Sequence, residues 1–331
     1  MSFSDIRVLG THSGAYLADL IVAQSAAKMK RIKVNSIRFS NGEIKPTVES
    51  NIRHNDVYIV STGVTDPETH WSINDHLMEL YLLLDNVSRS DPKSVTVIIP
   101  FLPYLRQDKR MTREPLSAAF VCNTLSKMAN RVITMDAHFA QFQCLFSHCN
   151  VINVYARDLL TSHLLHKIKI TKETHILVSP DTGGSARIES YSRELGVPYA
   201  VLTKKRSYTR ANTVLETVLH SDEDVSNKIG IIVDDMIDTG GTICSATETL
   251  VKHGIKKCIL VATHGILSGQ AIDRLNTCGS VERVVVTNSL PQEQHAKECS
   301  KIEVVDISVL LKDLIHVIKT KGSVSEFLPG N

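Results

Sequence analysis

The chain predicts an α/β architecture with mainly parallel sheets. Short β-branched runs recur along its length, helical patterns separate them, and most runs are apolar at successive positions. Strands covered by helices on both faces read this way. The runs are Ile6–Leu9, Val57–Val60, Val95–Ile99, Val132–Thr134, Ile176–Val178, Ala200–Leu202, Ile229–Val233, Cys258–Ala262, Val284–Val286 and Val304–Val305. Ten strands suggest two sheets, so a boundary is expected near residue 155. That divides the chain into a domain of 1–155 and a second of 156–310.

The helical patterns carry their own signals. In TREPLSAAFVCNTLSKM, Pro115 marks the first turn, and Leu116, Phe120 and Leu125 are read as one face. TICSATETLVKHG closes on Lys252, His253 and Gly254, a basic last turn and then a glycine suited to the C-cap. The last pattern, over 307–320, places Leu310, Leu311, Leu314 and Val317/Ile318 on one face and is expected to pack back on the first domain. Two stretches read as loops, the first of them only weakly periodic. Arg206–Asn227 is polar and reads as a mobile loop. Thr62–Ile73 holds the sole Trp, Trp71, and no motif assigns it a role.

Composition excludes several classes. With 37 basic and 35 acidic residues, the net charge of +2 gives no reason to expect a nucleic-acid surface or an anionic membrane. Attraction for phosphates must then be local. The seven cysteines form no C-x-x-C, and several sit in apolar runs, as in a reduced cytoplasmic protein. The first residues, MSFSDIRVLGTHSG, lack a signal region, and no apolar run approaches the ~18 residues of a membrane span.

One string carries most of the chemistry. Residues 229–243 read IGIIVDDMIDTGGTI: an apolar run, two acids, D-T-G-G-T and a helix start. Gly240 and Gly241 let backbone N–H groups converge, and the helix start and the hydroxyls of Thr239 and Thr242 add donors. That is a cradle for a terminal phosphate. Asp234 and Asp235 can accept from vicinal sugar hydroxyls or hold a cation that does. A sugar phosphate matches both halves. The chain has no G-x-x-x-x-G-K-[ST], no G-x-G-x-x-G after a strand, no H-E-x-x-H and no G-x-S-x-G.

The full string resembles the 5-phosphoribosyl diphosphate loop shared by phosphoribosyltransferases and ribose-phosphate pyrophosphokinases. Further segments separate the two: Phe39-Ser40-Asn41-Gly42-Glu43, IPFLPYLRQD at 99–108, Arg113–Ala118, ITMDAHFAQFQ at 133–143, VSPDTGGSAR at 178–187, LTKKR at 202–206, THGILSG and VVVTNSLPQ. In this order they resemble the ribose-phosphate pyrophosphokinase family over essentially the whole chain. The resemblance implies two phosphoribosyltransferase-like domains, each a mainly parallel sheet flanked by helices.

It also implies roles. Phe39, Asn41 and Glu43 correspond to an adenine-recognition segment that in the family reaches across from a neighbouring subunit, so a homo-oligomer, a hexamer, is expected. Arg106 and Gln107 correspond to ATP contacts. His138 and Asp181 correspond to the pair that holds magnesium (Mg2+) with ATP, and Asp181-Thr182-Gly183-Gly184 reads as a second phosphate cradle. Lys204 and Arg206 correspond to the catalytic pair, and Asp234, Asp235, Asp238, Thr239, Gly240, Gly241 and Thr242 to the ribose 5-phosphate loop. The implied reaction moves the β,γ-pyrophosphate of ATP to C1 of ribose 5-phosphate. Two other readings share these residues: a phosphoribosyltransferase, and a catalytically silent subunit associated with true synthetases.

Overall fold

Apolar β-branched runs bounded by glycine, proline and acids become two sheets, each in its own part of the chain. The structure is a computed structural model that describes residues 5–64, 69–206 and 214–328, without the side chains of 204–206 and 214–217. It divides into two units. The first is Met1–Tyr155 with Ser289–Pro291 and Asp306–Asn331; the second is Ala156–Asn288 with Gln292–Val305.

The first unit contains strands β1 (Ile6–Gly10), β2 (Lys30–Ile32), β3 (Val34–Arg38), β4 (Ile44–Val48), β5 (Asp56–Val60), β6 (Ser94–Ile98), β7 (Arg131–Met135) and β8 (Asn150–Val154). Six form one sheet in the order β2-β1-β5-β6-β7-β8, with every pair parallel. Strands β3 and β4 form an antiparallel hairpin of their own. Helices α1 (Ala15–Ala23), α2 (Ile73–Ser88) and α3 (Ser117–Met128) follow β1, β5 and β6.

Helix α2 starts where Ser72 and Asp75 satisfy each other's backbone N–H groups, a capping box at S-x-x-D spacing. Its Leu80, Leu83, Leu84 and Val87 are fully buried, each contributing about 1.5–3 kcal/mol relative to exposure. Helix α3 corrects the sequence reading. It begins at Ser117, after Pro115, and buries Ala118, Val121, Cys122 and Leu125, while Leu116 and Phe120 face solvent. The i, i+3, i+4, i+7 stripe starts at Ala118, and Phe120 falls outside it.

The second unit contains α4 (Arg157–His163), β9 (His175–Ser179), α5 (Ser185–Leu195), β10 (Tyr199–Arg206), β11 (Val214–Ser221), β12 (Ile229–Ile237), α6 (Gly241–Lys252), β13 (Lys257–Gly265), α7 (Ala271–Thr277), β14 (Val281–Thr287), α8 (Glu293–Glu298) and β15 (Ile302–Val305). The strand order is β11-β10-β9-β12-β13-β14-β15. All pairs are parallel except β10 with β11. This overturns the reading of 206–227 as loop throughout. VLETVLHS runs as two apolar then two polar residues, twice over, which matches neither the strand nor the helix period, and it becomes a strand by pairing with β10. Residues 207–213, also part of that reading, lie outside the described residues. Helix α6 ends as its sequence predicts, with Gly254 at φ +95° after His253.

The final helix, α9 (Ser308–Thr320), belongs to the first unit and packs on α1. Its buried positions are Ser308, Leu311, Leu314, Ile315 and Lys319, so the face turns slightly from the predicted one. Lys319 is 6% exposed, and its Nζ donates to Asp56 Oδ2 at 2.7 Å. Burial alone would raise the Asp56 carboxyl, but Lys319, Ser94 and Lys93 together hold it below its ordinary value. A buried pair costs most when one partner is removed. Lys319→Met is expected to lower unfolding free energy by about 3 kcal/mol, and Lys319→Met/Asp56→Val to recover most of it. Urea titration checks this, and equal losses in the two variants would contradict it.

Candidate functional site

In parallel sheets, ligands gather beyond the carboxyl ends of the strands. In the second unit, three adjacent strands deliver the predicted residues to that edge. Strand β9 lies between β10 and β12. Asp181 stands two residues past β9, Lys204 and Arg206 lie on the last residues of β10, and Asp234–Thr242 covers the end of β12 and the start of α6.

Asp234 is partly exposed and Asp235 is buried. Arg187, on α5, places Nη1 2.9 Å from Asp234 Oδ1 and 3.6 Å from Asp235 Oδ1. The backbone N–H of Asp235 also donates to Asp234 Oδ1 at 2.9 Å. Burial, then the neighbouring Asp235, pushes the Asp234 carboxyl up, while Arg187 opposes them. Paired carboxylates with a perturbed titration mark functional sites. Sequence reasoning missed Arg187. Its signal was an arginine on the first turn of the helix opened by D-T-G-G-S-A-R.

The turn after β12 is held from outside. Ile266 and Leu267 donate backbone N–H bonds to the Ile237 carbonyl at 2.9 and 3.0 Å. Ser268 donates its hydroxyl to the Asp238 carboxylate, and Arg274 Nη1 donates to the Thr239 carbonyl at 2.6 Å. Gly240 sits at φ +75°, a conformation that suits glycine. Among the described residues no side chain caps α6, and its first N–H groups are flanked by exposed Thr239 and Thr242. That is an anion-binding geometry.

The turn after β9 differs from expectation. Asp181 Oδ1 accepts from the N–H groups of Gly183 at 2.9 Å and Gly184 at 3.2 Å. Asp181 is thus the N-cap of this turn, and its carboxylate takes two of the N–H groups that the reading of Asp181–Gly184 as a second phosphate cradle assigns to a ligand. The side chains of Lys204 and Arg206 lie outside the described residues. Their backbones pair with β11, with a register slip between Lys205 and Arg206. Strict alternation along β10 therefore ends at Lys205.

In the first unit, Phe39, Asn41 and Glu43 come together at the exposed tip of the β3–β4 hairpin. Phe39 N–H donates to the Glu43 carbonyl at 2.8 Å, and Glu43 N–H to Asn41 Oδ1 at 3.1 Å. Arg106 and Gln107 are exposed after β6, where Gln107 Oε1 accepts from the Ser117 hydroxyl at 2.6 Å. His138 is exposed after the neighbouring strand β7. Asp136, two residues before it, has φ +40°. His138 belongs to the first unit and Asp181 to the second. Among the described residues no three His, Cys, Asp or Glu side chains converge on a metal position. Magnesium is bound through one or two carboxylates while phosphate oxygens complete its shell, and the Asp181 carboxylate is a ligand of that kind. All seven cysteines are free, and no described helix is long and apolar enough to cross a membrane.

The Asp234 carboxyl lies well above its ordinary value of 3.8, at about 7. Its ionised form therefore costs stability above about pH 7, a cost that disappears as pH falls through the ordinary range. Asp234→Asn is expected to raise Tm by about 3 °C near pH 8, with the gain fading toward about pH 4. Thermal melts across pH check this. A lowered Tm near pH 8 would contradict it.

Comparison with known proteins gives the family. Residues 6–129 match the family model of the N-terminal domain of ribose phosphate pyrophosphokinase, and residues 203–328 that of a phosphoribosyl synthetase-associated domain. The chain is 36% identical over 327 residues to ribose-phosphate pyrophosphokinase 2 of Schizosaccharomyces pombe, covering 98% of each. The crystal structure of phosphoribosylpyrophosphate synthetase from Mycobacterium smegmatis superposes with a TM-score of 0.84 at 32% identity, covering 96% of this chain and 100% of that one. With its two sheets and the loop at the end of β12, the chain belongs to the ribose-phosphate pyrophosphokinase family.

Proposed function

We propose that the protein transfers the β,γ-pyrophosphate of ATP to the C1 hydroxyl of ribose 5-phosphate, releasing AMP. The observation that carries this reading is the strand order β10-β9-β12, which gathers the segments bearing Lys204 and Arg206, Asp181 and Asp234–Thr242 at one sheet edge. The match along nearly the full length of a pyrophosphokinase supports it over a phosphoribosyltransferase or a silent associated subunit.

The 5-phosphate sits on the N–H groups at the start of α6 with Thr239 and Thr242, and Asp234 and Asp235 accept from the ribose hydroxyls. Phe39, Asn41 and Glu43 recognise adenine together with Arg106 and Gln107. His138 and Asp181 would each offer a ligand to Mg2+, which would supply neutralisation of phosphate charge. The C1 oxygen attacks the β-phosphorus in line, the bond to the α–β bridging oxygen breaks, and AMP leaves with that electron pair. Lys204 and Arg206 stabilise the charge that develops on the transferring group. The enzyme is cytoplasmic and a homo-oligomer, a hexamer as in the family reading. In the first unit, Met111 is 83% and Phe120 71% exposed, apolar surface that a second copy would cover.

Incubation with ATP, Mg2+ and ribose 5-phosphate should yield AMP, and omission of the sugar phosphate should abolish it. Lys204→Ala and Arg206→Ala are each expected to lower kcat by about 10²–10³, with KM values changing a few-fold. Lys205→Ala is the control and should be close to wild type. ADP in place of AMP would contradict the reaction. Equal damage at all three positions would reduce the segment to a general basic patch.

A further inference from the structure

The β3–β4 hairpin pairs with neither main sheet, so sheet hydrogen bonds do not set its direction. Side chains attach it to α2 and to the segment before α2. Asn86 Nδ2 donates to the Pro46 carbonyl at 3.1 Å. Arg38 Nη1 donates to the His70 carbonyl at 3.2 Å, and Nη2 lies 3.8 Å from Asp75. Ser36, on β3, donates its hydroxyl to the Glu79 carboxylate.

Glu79 is the centre of this attachment. It lies on α2, is fully buried, and accepts the His12 N–H at 2.9 Å on Oε1 and 3.1 Å on Oε2. One carboxylate thus ties together the turn after β1, helix α2 and the hairpin. Rings close around the same turn: His12 stacks on Trp71 at 4.6 Å, and Trp71 on His76 at 5.5 Å. Burying a carboxylate is costly unless every bond it makes is well directed, and an apolar side chain would fill the same space without that cost. What Glu79 adds over an apolar residue is direction. We infer that Glu79 is a positioning residue that orients the hairpin, and with it Phe39, Asn41 and Glu43, toward the adenine of ATP. This rests on the proposed reading of those three residues as adenine contacts.

Steady-state kinetics on Phe39→Ala, Ser36→Ala, Ser36→Thr and Glu79→Gln tests it. Ser36→Ala is expected to raise KM for ATP about five-fold and Glu79→Gln about ten-fold, the scale of one lost charge-assisted hydrogen bond. KM for ribose 5-phosphate and kcat should stay within about two-fold, and Ser36→Thr, which restores the hydroxyl, should return the ATP value. If Glu79→Gln fails to fold, the Ser36→Ala and Ser36→Thr pair decides alone. A rise for Phe39→Ala without one for Ser36→Ala and Glu79→Gln overturns this inference and leaves the adenine reading standing. So does an equal rise for both substrates. An unchanged ATP KM in Phe39→Ala overturns the adenine reading and this inference together.

Discussion

Two adjacent carboxylates at the end of a strand repel each other and need a cation to stay there. Arg187 supplies it, reaching from α5 to both Asp234 and Asp235. The constraint is topological as well as electrostatic. Because β12 is parallel to β9 and β13, its acids emerge at the edge where the neighbouring strands also end. Because α5 follows β9, its first turn lies close to that edge. The sheet order, the helix placement and the charge pair are one arrangement. Even so, Asp234 remains easier to protonate than an ordinary aspartate. Such a group is poorly compensated by the protein itself and well placed to be compensated by a ligand.

The first unit solves a different problem. Its hairpin extends an exposed tip whose internal hydrogen bonds fix the shape of the turn but not its direction. Arg38, Ser36 and Asn86 fix the base against α2 and its approach, and Glu79 connects that base to the turn after β1. Trp71 has a structural place here, since its ring stacks on His12 at that turn. A rigid base under a projecting tip is what a side chain needs if it must meet a ligand beyond its own sheet.

Much of this was legible in the sequence, for physical reasons. Each of the ten predicted runs falls on a strand, because buried parallel strands are apolar at consecutive positions and flanked by breakers. The turn at 238–242 was legible because Gly240 needs its positive φ. The strands missed, β2, β3, β4, β8 and β11, are edge or hairpin strands whose polar residues dilute the signal. The roles of Arg187 at the site and of Glu79 under the hairpin were not assigned from the sequence. Each acts through a partner distant in sequence, Asp234 for Arg187 and His12 and Ser36 for Glu79. Spacing rules along one element cannot find such pairs. The use of the Gly183 and Gly184 N–H groups by Asp181 itself escaped for a related reason, since a D-T-G-G string does not say which acceptor its amides meet.

The central claim is that the carboxylate pair and the α6 turn form the ribose 5-phosphate site, separate from the determinants of ATP binding. Isothermal titration of wild type and Asp235→Asn with each substrate alone tests it most directly. The account predicts that Asp235→Asn weakens ribose 5-phosphate binding by about ten-fold or more, the loss expected for a charged hydrogen-bond acceptor, and leaves ATP affinity within about two-fold. Undiminished ribose 5-phosphate binding with a loss confined to ATP would contradict it.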